Sequence, residues 1–258
     1  MNSDVEIKNN VKEKYSQIAE SKLASSTAVS SCCGPDSSCG GGTSSVVQLS
    51  LNYDPNDLEA VPEGADLGLG CGTPTAFAGL KEGDTVLDLG SGAGIDVFIA
   101  SRYIGNTGKA IGVDMTEAMI NKARENAKKI NSANVEFRLG EIEALPVESD
   151  SVDRVISNCV INLVPSKENA FREIHRVLKS GGTFTVSDIV VDGIISDKER
   201  HDAALWAGCM SGAIEREEYL AVIRREGFSN VQIISEKENG HPLQSNARLF
   251  SITVSGKK

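Results

Sequence analysis

The chain has 258 residues, 40% of them hydrophobic and 24% charged, with a formal net charge of −10. This length and composition fit one globular α/β domain with a sizeable core and appendages. The acidic balance argues against nucleic-acid backbones and anionic membranes as main partners, because both require basic patches.

We expect no signal peptide at the beginning of the chain. Its first residues, MNSDVEIKNN, lack the apolar core of a signal peptide, and no apolar run approaches the length of a membrane span. We therefore expect a cytoplasmic protein. Its six cysteines are then expected to be reduced and chemically used rather than locked in structural disulfides.

The first predicted element is an amphipathic helix over residues 4–20. Ile7, Val11, Tyr15 and Ile18 recur at helical spacing among charged residues, so this helix must dock on the rest of the protein. It is either a packing appendage or a lid over a ligand.

Residues 21–45 differ in composition from the helix before them. Ser, Gly and Cys dominate, and apolar side chains are too few to offset chain entropy, so we expect a mobile arm. Cys32, Cys33 and Cys39 lie in this arm. They could bind a metal ion, they could take part in redox chemistry, or they could reflect composition alone. A structural zinc site is disfavoured because His and the CxxC spacing are absent.

A fourth cysteine, Cys71, lies in a glycine-rich loop. Gly70 and Gly72 flank it, and Pro74 favours the start of a short helix directly afterwards. A buried core cysteine would normally lie within an apolar run. We therefore predict that Cys71 occupies an accessible turn.

The organising stretch of the chain is a strand, a glycine loop, a helix over residues 95–104 and a second strand, together spanning residues 85–114. Val86, Leu87 and Leu89 form an apolar run too short for a helix, which predicts a buried strand. The sequence DLGSGAG follows, and its glycines permit positive φ and a close approach of backbone to a ligand. The loop glycines are Gly90, Gly92 and Gly94.

The second strand of this unit ends in Asp114, where a carboxylate in a parallel sheet can accept hydrogen bonds from a ribose. The loop reads GxGxG, contains no Lys or Arg, and differs from both the dinucleotide fingerprint and the Walker sequence. A ligand with a ribose but no pyrophosphate therefore fits best. A NAD-type loop and a purely structural turn are the alternatives.

The remainder of the chain alternates strands and helices. Helices are predicted over residues 116–130, 168–178 and 217–225, and a capping box opens another at Ser196. Strands are predicted over residues 135–139, 152–157, 183–187, 231–235 and 249–254. Seven strands in this alternation predict a doubly wound α/β sheet, with the last two as an antiparallel hairpin at its edge.

Ligands in open α/β sheets bind beyond the carboxyl ends of the strands. Asp88, Asp114, Glu141, Asn158 and Asp188 are all predicted at such ends, and Cys159 directly follows Asn158.

Cys209 follows an irregular helix end and could join Cys71 and Cys159 over one site. Each cysteine alone could simply pack in the core. Together they favour a thiolate site for a soft ion, and the lack of His favours an ion with a lone pair over catalytic zinc.

The pattern DLGSGAG with GVD downstream resembles the S-adenosylmethionine (SAM) site of class I methyltransferases, which have a seven-stranded Rossmann-like sheet. The resemblance implies that Asp88 and the glycine loop hold the methionine part and that Asp114 holds the ribose. The predicted cofactor residues are Asp88, Gly90, Ser91, Gly92, Gly94, Asp114, Met115, Glu141, Ile142 and Asn158.

Other motifs resemble the arsenite methyltransferase family more specifically: YDPNDLEAVPEGADLGLGCGTP, GEIEALP, SNCVINLVP and WAGCMSGA. This resemblance implies SAM-dependent methylation of trivalent arsenic in detoxification, by a domain over residues 46–258 that follows the appendage at residues 1–45. Cys71, Cys159 and Cys209 would hold As(III), and one arm cysteine would join them in catalysis. Cys32, Cys33 and Cys39 all qualify for that role, and Cys39 is the candidate that we name.

The implied partners are arsenite or thiol-bound As(III) as substrate, and thioredoxin or glutathione as the thiol reductant. Two alternatives stay open. GGTFTVSDIV and FREIHRVLKSGG also resemble methyltransferases of small organic acceptors such as a quinone precursor. A sensor that binds SAM or metal without turnover is the third possibility.

Overall fold

A single sheet organises the computed structural model, which describes residues 4–21, 53–59, 61–202, 205–206, 208–240 and 243–258. Its strands are β1 (Thr85–Leu89), β2 (Lys109–Asp114), β3 (Val135–Leu139), β4 (Val152–Asn158), β5 (Leu178–Asp192), β6 (Ser229–Asn239) and β7 (Arg248–Lys257). The order is β3-β2-β1-β4-β5-β7-β6. The strands β1 to β5 pair in parallel, whereas β7 runs antiparallel to both β5 and β6. The predicted doubly wound sheet and its edge hairpin are confirmed.

Helices cover both faces of this sheet. They are α1 (Asp4–Ser21), α2 (Pro55–Leu58), α3 (Pro74–Phe77), α4 (Ile95–Ile104), α5 (Glu117–Lys129), α6 (Lys167–Val177), α7 (Asp197–Arg200) and α8 (Arg216–Arg225). Alternate residues of β1 point to opposite faces, as strand geometry requires. Leu87 packs in the core with Phe171 of α6 and Tyr219 of α8, whereas Val86 packs with Phe98 of α4 and Ile120 of α5.

The local signals at the helix ends agree with the sequence in part. Ser196 and Glu199 form the predicted capping box at the start of α7. The helix α6 ends at Val177, one residue before its predicted end at residue 178, because Leu178 already pairs with Val152 in the sheet.

Asp188 does not follow the end of β5, and that prediction is wrong. The strand continues to Asp192 because β7 pairs with it in the antiparallel direction from Thr183 to Asp192. Its parallel pairing with β4 stops at Ser187, so Asp188 lies one residue beyond, fully buried inside the strand.

Some predictions fall on undescribed residues. Cys32, Cys33 and Cys39, with most of the predicted arm, lie outside the described residues. Among the helices that the structure describes, none is long and apolar enough to cross a membrane.

Candidate functional site

A pocket lies where β1, β2 and β4 end, at the edge of the sheet predicted for ligand binding. The glycine loop, Asp114, Ile142 and Asn158 form its floor and walls, and α1 contributes Tyr15. The space inside, its open mouth included, is about 1130 Å³. A small molecule of nucleoside size can be accommodated there.

All but one of the predicted cofactor residues line the pocket. Gly94 does not line it. Instead it precedes α4 with a φ of 102°, and a Cβ atom there would come within 2.8 Å of Phe98 and Phe137. Its role is conformational. The predicted residues that line the pocket are Asp88, Gly90, Ser91, Gly92, Asp114, Met115, Glu141, Ile142 and Asn158.

The carboxylate of Asp114 is held in place by backbone amides. Gly92 N–H donates to Oδ2 over 3.0 Å, and Thr116 N–H donates to Oδ1 over 2.8 Å. Burial raises the pKa of Asp114, while these two amide hydrogen bonds act in the opposite direction. The arrangement orients an acceptor into the pocket, and no ion pair to it is formed by the residues that the structure describes.

The glycine loop has polar groups that are available to hydrogen-bond a ligand. A Cβ atom at Gly92 would meet no atom within 4 Å, so its backbone faces open space. The hydroxyl oxygen of Ser91 is buried and has no hydrogen-bond partner among the described residues. A buried unpaired hydroxyl is costly, so a ligand that bonds to it is favoured.

Two buried carboxyls, Asp88 and Asp96, lie in the wall of the pocket. Burial raises the pKa of Asp88 well above its usual value, and the neighbouring Asp96 and Asp114 add to the shift. Burial also raises the pKa of Asp96 to about 6, although hydrogen bonds from Tyr53, Asn158 and Thr75 lower it. Such a site favours a cationic ligand, because a positive charge stabilises the ionised carboxyls.

Cys71 and Cys159 are joined by a disulfide, with their Cα atoms 5.7 Å apart. The expectation that all the cysteines are reduced is therefore wrong for this pair in this structure. The physical reason is the seating of the Cys71 loop on the end of β4, which brings both α-carbons into bonding range.

Cys209 is a free, buried thiol beside this disulfide. Its Sγ donates a hydrogen bond to the Cys159 carbonyl oxygen over 2.7 Å. Burial, together with the Asp188 carboxylate, raises the pKa of Cys209 well above its usual value, whereas Lys167 and the Tyr15 hydroxyl lower it. In this state Cys209 is a neutral thiol.

The three cysteines thus converge, but not as three free thiolates. They share one apolar cluster with Val11 and Leu163. Cys71 is buried there with 7% of its surface exposed, so the prediction that it occupies an accessible turn is wrong: its loop packs against the end of β4. Within the part of the chain that the structure describes, no three His, Cys, Asp or Glu side chains are grouped to hold a metal ion. Two of the predicted ligand sulfurs are bonded to each other instead.

The helix α1 is fastened over the site. Lys8 Nζ lies 2.8 Å from Glu141 Oε2 and 2.5 Å from Glu143 Oε2, and Lys12 Nζ lies 3.1 Å from Glu141 Oε1. Val11 and Tyr15, one and two turns further, line the pocket and pack against the cysteine cluster. The predicted docking of this helix is confirmed.

Comparison with known proteins agrees with this geometry. A family model described as a methyltransferase domain matches residues 80–243. A crystal structure of an arsenic(III) S-adenosylmethionine methyltransferase from Chlamydomonas reinhardtii is 33% identical, with a TM-score of 0.68, and covers 83% of this chain and 73% of that one. The chain belongs to the arsenite methyltransferase family.

Curated relatives of this family member are longer. The arsenite methyltransferase of Halobacterium salinarum is 45% identical over 237 residues, which are 89% of this chain and 59% of the relative. The human arsenite methyltransferase is 35% identical over 159 residues, 58% of this chain and 42% of the relative. The chain therefore spans about three-fifths or less of the curated relatives that it matches.

Tyr53 and Asp96 are among the polar pocket residues of this family member that reasoning from sequence missed. Asp96 stands in the first turn of α4, where an acid is ordinary because it complements the helix dipole. Tyr53 is more than forty residues away in sequence, yet its hydroxyl donates to Asp96 Oδ2 over 2.9 Å. Neither residue carries a local signal of this contact.

Proposed function

We propose that the chain transfers the methyl group of SAM to trivalent arsenic held by Cys71, Cys159 and Cys209. The observation that carries this proposal is the location of Cys159. It lines the pocket and also contacts both other cysteines. A methyl donor in the pocket and an acceptor on the sulfurs would then be neighbours. Two relatives that match most of the chain are named as arsenic methyltransferases, which supports the same activity.

The residues of the pocket fit SAM. Its two positive charges suit the buried carboxyls of Asp88 and Asp96, and its ribose suits the fixed carboxylate of Asp114. The unpaired Ser91 hydroxyl and the open side of Gly92 suit its polar methionine part. When bound, SAM supplies a methyl group on a positively charged sulfur, which a lone pair attacks in line.

The cysteines capture arsenic only after the disulfide between Cys71 and Cys159 has been reduced. Two electrons and two protons from a thiol reductant, thioredoxin or glutathione, open that bond. Each free thiol then replaces one hydroxyl of arsenous acid, and its proton leaves with that hydroxyl as water. This exchange is neutral overall, so the high pKa of Cys209 in its apolar surroundings does not oppose it.

Trivalent arsenic bound to sulfur keeps its lone pair, so methyl transfer requires no general base. The task of the protein is alignment and exclusion of water, for which effective molarities of about 10⁵–10⁸ M are attainable. The apolar cluster around the sulfurs, including Val11 and Leu163, supplies the dry surroundings.

Methylation raises arsenic formally from As(III) to As(V). The As–S bonds to Cys71 and Cys159 then break, the two sulfurs leave two electrons on arsenic, which returns to As(III), and they form with each other the disulfide seen in this structure. The reductant then restores both thiols. This cycle gives the pair two roles, as arsenic ligands and as electron donors, and would serve detoxification.

The test measures S-adenosylhomocysteine formed from SAM with arsenite, with arsenate, or with a demethylated quinone precursor, each with and without thiol reductant. We expect product with arsenite and reductant together. Product with the quinone precursor alone would instead support an organic acceptor, for which similarity to a ubiquinone/menaquinone biosynthesis C-methyltransferase, 37% over 110 residues, is the precedent. No product with any acceptor would refute methyl transfer.

A further inference from the structure

The side-chain amide of Asn158 joins the pocket to the loop that carries Cys71. Its Oδ1 accepts hydrogen bonds from the backbone N–H of Cys71 over 2.9 Å and of Gly72 over 3.1 Å. Its Nδ2 donates to the carbonyl oxygen of Gly72 over 2.8 Å. One side chain therefore satisfies three backbone groups of a loop 86 residues away in sequence.

Two further groups fix which way this amide points. Nδ2 of Asn158 lies 3.0 Å from the Tyr53 hydroxyl oxygen and 3.3 Å from Asp96 Oδ2, both of which can accept from it. The Tyr53 hydroxyl donates in turn to Asp96 Oδ2 over 2.9 Å. The Gly72 carbonyl can only accept from the nitrogen, and the backbone N–H groups of Cys71 and Gly72 can only donate to the oxygen, so a flipped amide would lose all three bonds to the loop.

The glycines on either side of Cys71 are required by this contact. A Cβ atom at Gly70 would come within 2.6 Å of Asn158 Nδ2, and one at Gly72 would come within 2.5 Å of Ser187 Oγ. The loop thus lies flat on the end of β4 and on the middle of β5 at Ser187. In that position the Cys71 sulfur bonds to the sulfur of Cys159, the residue after Asn158.

We propose that Tyr53, Asp96 and Asn158 form a positioning network that holds the Cys71 loop against Cys159 and so raises the effective concentration of the two thiols. This inference rests on the proposed function, in which that pair supplies electrons to arsenic. None of the three residues touches the reacting sulfurs through its side chain. They act on the reaction through the backbone of the loop.

The step that reports this positioning is disulfide exchange with glutathione. The disulfide bond of one oxidised glutathione molecule breaks, and the disulfide bond between Cys71 and Cys159 forms. The two protein thiols lose two electrons and two protons, which appear in two glutathione thiols. The equilibrium constant of this exchange measures how closely the loop holds the two sulfurs.

The experiment measures that constant for the full chain in glutathione buffers, by alkylation of free thiols and mass spectrometry of the Cys71 and Cys159 peptides. We expect Asn158→Ala to lower it by at least about tenfold, which makes the potential about 30 mV less negative. Tyr53→Phe, which removes one hydrogen-bonded hydroxyl, should lower it about threefold.

The matched control is Tyr103→Phe, because the exposed Tyr103 hydroxyl also donates to a carboxylate, that of Asp57 over 2.6 Å. This variant should leave the constant unchanged. A constant within about twofold of wild type in Tyr53→Phe and in folded Asn158→Ala overturns the proposal. If Asn158→Ala does not fold, Tyr53→Phe alone decides.

Two comparisons separate a positioning role from a purely structural one and from the proposed function. Residues that serve stability alone would lower the melting temperature of the reduced protein and leave the exchange constant unchanged, which would also overturn the proposal. Neither SAM nor arsenite is present in the exchange assay. A wild-type chain that forms no S-adenosylhomocysteine with arsenite would therefore refute the proposed function without altering this result.

Discussion

The Cys209 thiol donates a hydrogen bond of 2.7 Å to the carbonyl oxygen of Cys159. Both residues have left-handed backbone conformations, with φ of 64° for Cys209 and 59° for Cys159. Non-glycine residues adopt this region rarely, and it recurs at functional sites. The contact joins the end of β4 to the loop that carries Cys209.

Cys209→Ser should abolish arsenite binding and methyl transfer while the fold persists. The serine hydroxyl can donate the same hydrogen bond to Cys159, but it is a hard group that does not replace a soft sulfur ligand. Arsenite binding, SAM affinity and melting temperature are to be measured together. Retained arsenite-dependent turnover would remove Cys209 from the site and favour an organic acceptor.

Cys71→Ser and Cys159→Ser should show stability effects that depend on reductant. The disulfide closes a loop with a sequence separation of 88 residues. Without reductant, each variant should lower the free energy of unfolding by about 2–4 kcal/mol relative to wild type. With reductant, the difference should nearly vanish, because wild type then lacks the bond as well. Urea unfolding under both conditions is the measurement, and an equal loss in both would indicate a packing role.

Asp114→Ala should weaken SAM binding by about tenfold or more, since charge-assisted hydrogen bonds contribute about 1.5–3 kcal/mol. Arsenite binding should be unaffected, because the Asp114 carboxylate is bonded to the amides of Gly92 and Thr116 and is not one of the proposed arsenic ligands. Calorimetry with SAM tests the change, and Asp57→Ala, on the protein surface, is the control. An unchanged affinity would contradict the assignment of Asp114 to the ribose.

SAM affinity should increase as the pH rises toward and through about 6. Burial raises the pKa of Asp96 to about 6, with Asp66 adding to the shift and hydrogen bonds from Tyr53, Asn158 and Thr75 opposing it. A bound cation lowers this pKa, so binding below and near pH 6 must expel a proton.

Calorimetry in two buffers of different ionisation enthalpy measures this proton release. Asp96→Asn should flatten the pH dependence. The residual slope belongs to Asp88, whose pKa is also raised by burial. A release of protons that Asp96→Asn leaves unchanged would contradict the role of Asp96.

Lys8→Met should loosen the N-terminal helix over the pocket. The substitution removes the cation between Glu141 and Glu143 but keeps the apolar stem. A partly exposed ion pair contributes up to about 1 kcal/mol, so SAM should dissociate up to about fivefold faster. Stopped-flow dissociation at low and high salt is the measurement, and the difference should shrink at high salt. Lys14→Met, at an exposed position of the same helix, should behave like wild type.

Local patterns determine the elements around the pocket from sequence alone. The helix over residues 95–104 and the strand over residues 135–139 have the same bounds in the sequence prediction and in the structure. Their signals are short-range, because apolar periodicity and flanking glycines act within a few residues. The placement of Asp114 at a strand end follows from the same reasoning.

Tertiary structure decided the contacts that cross the chain. Asp188 became an interior strand residue only because β7 pairs with it, and Tyr53 met Asp96 only because the loop folds onto α4. The bond between Cys71 and Cys159 depends on a Cα separation of 5.7 Å, set by how Asn158 seats the loop. Such distances result from the packing of segments that are distant in sequence, so they cannot be predicted from the spacing of residues along the chain.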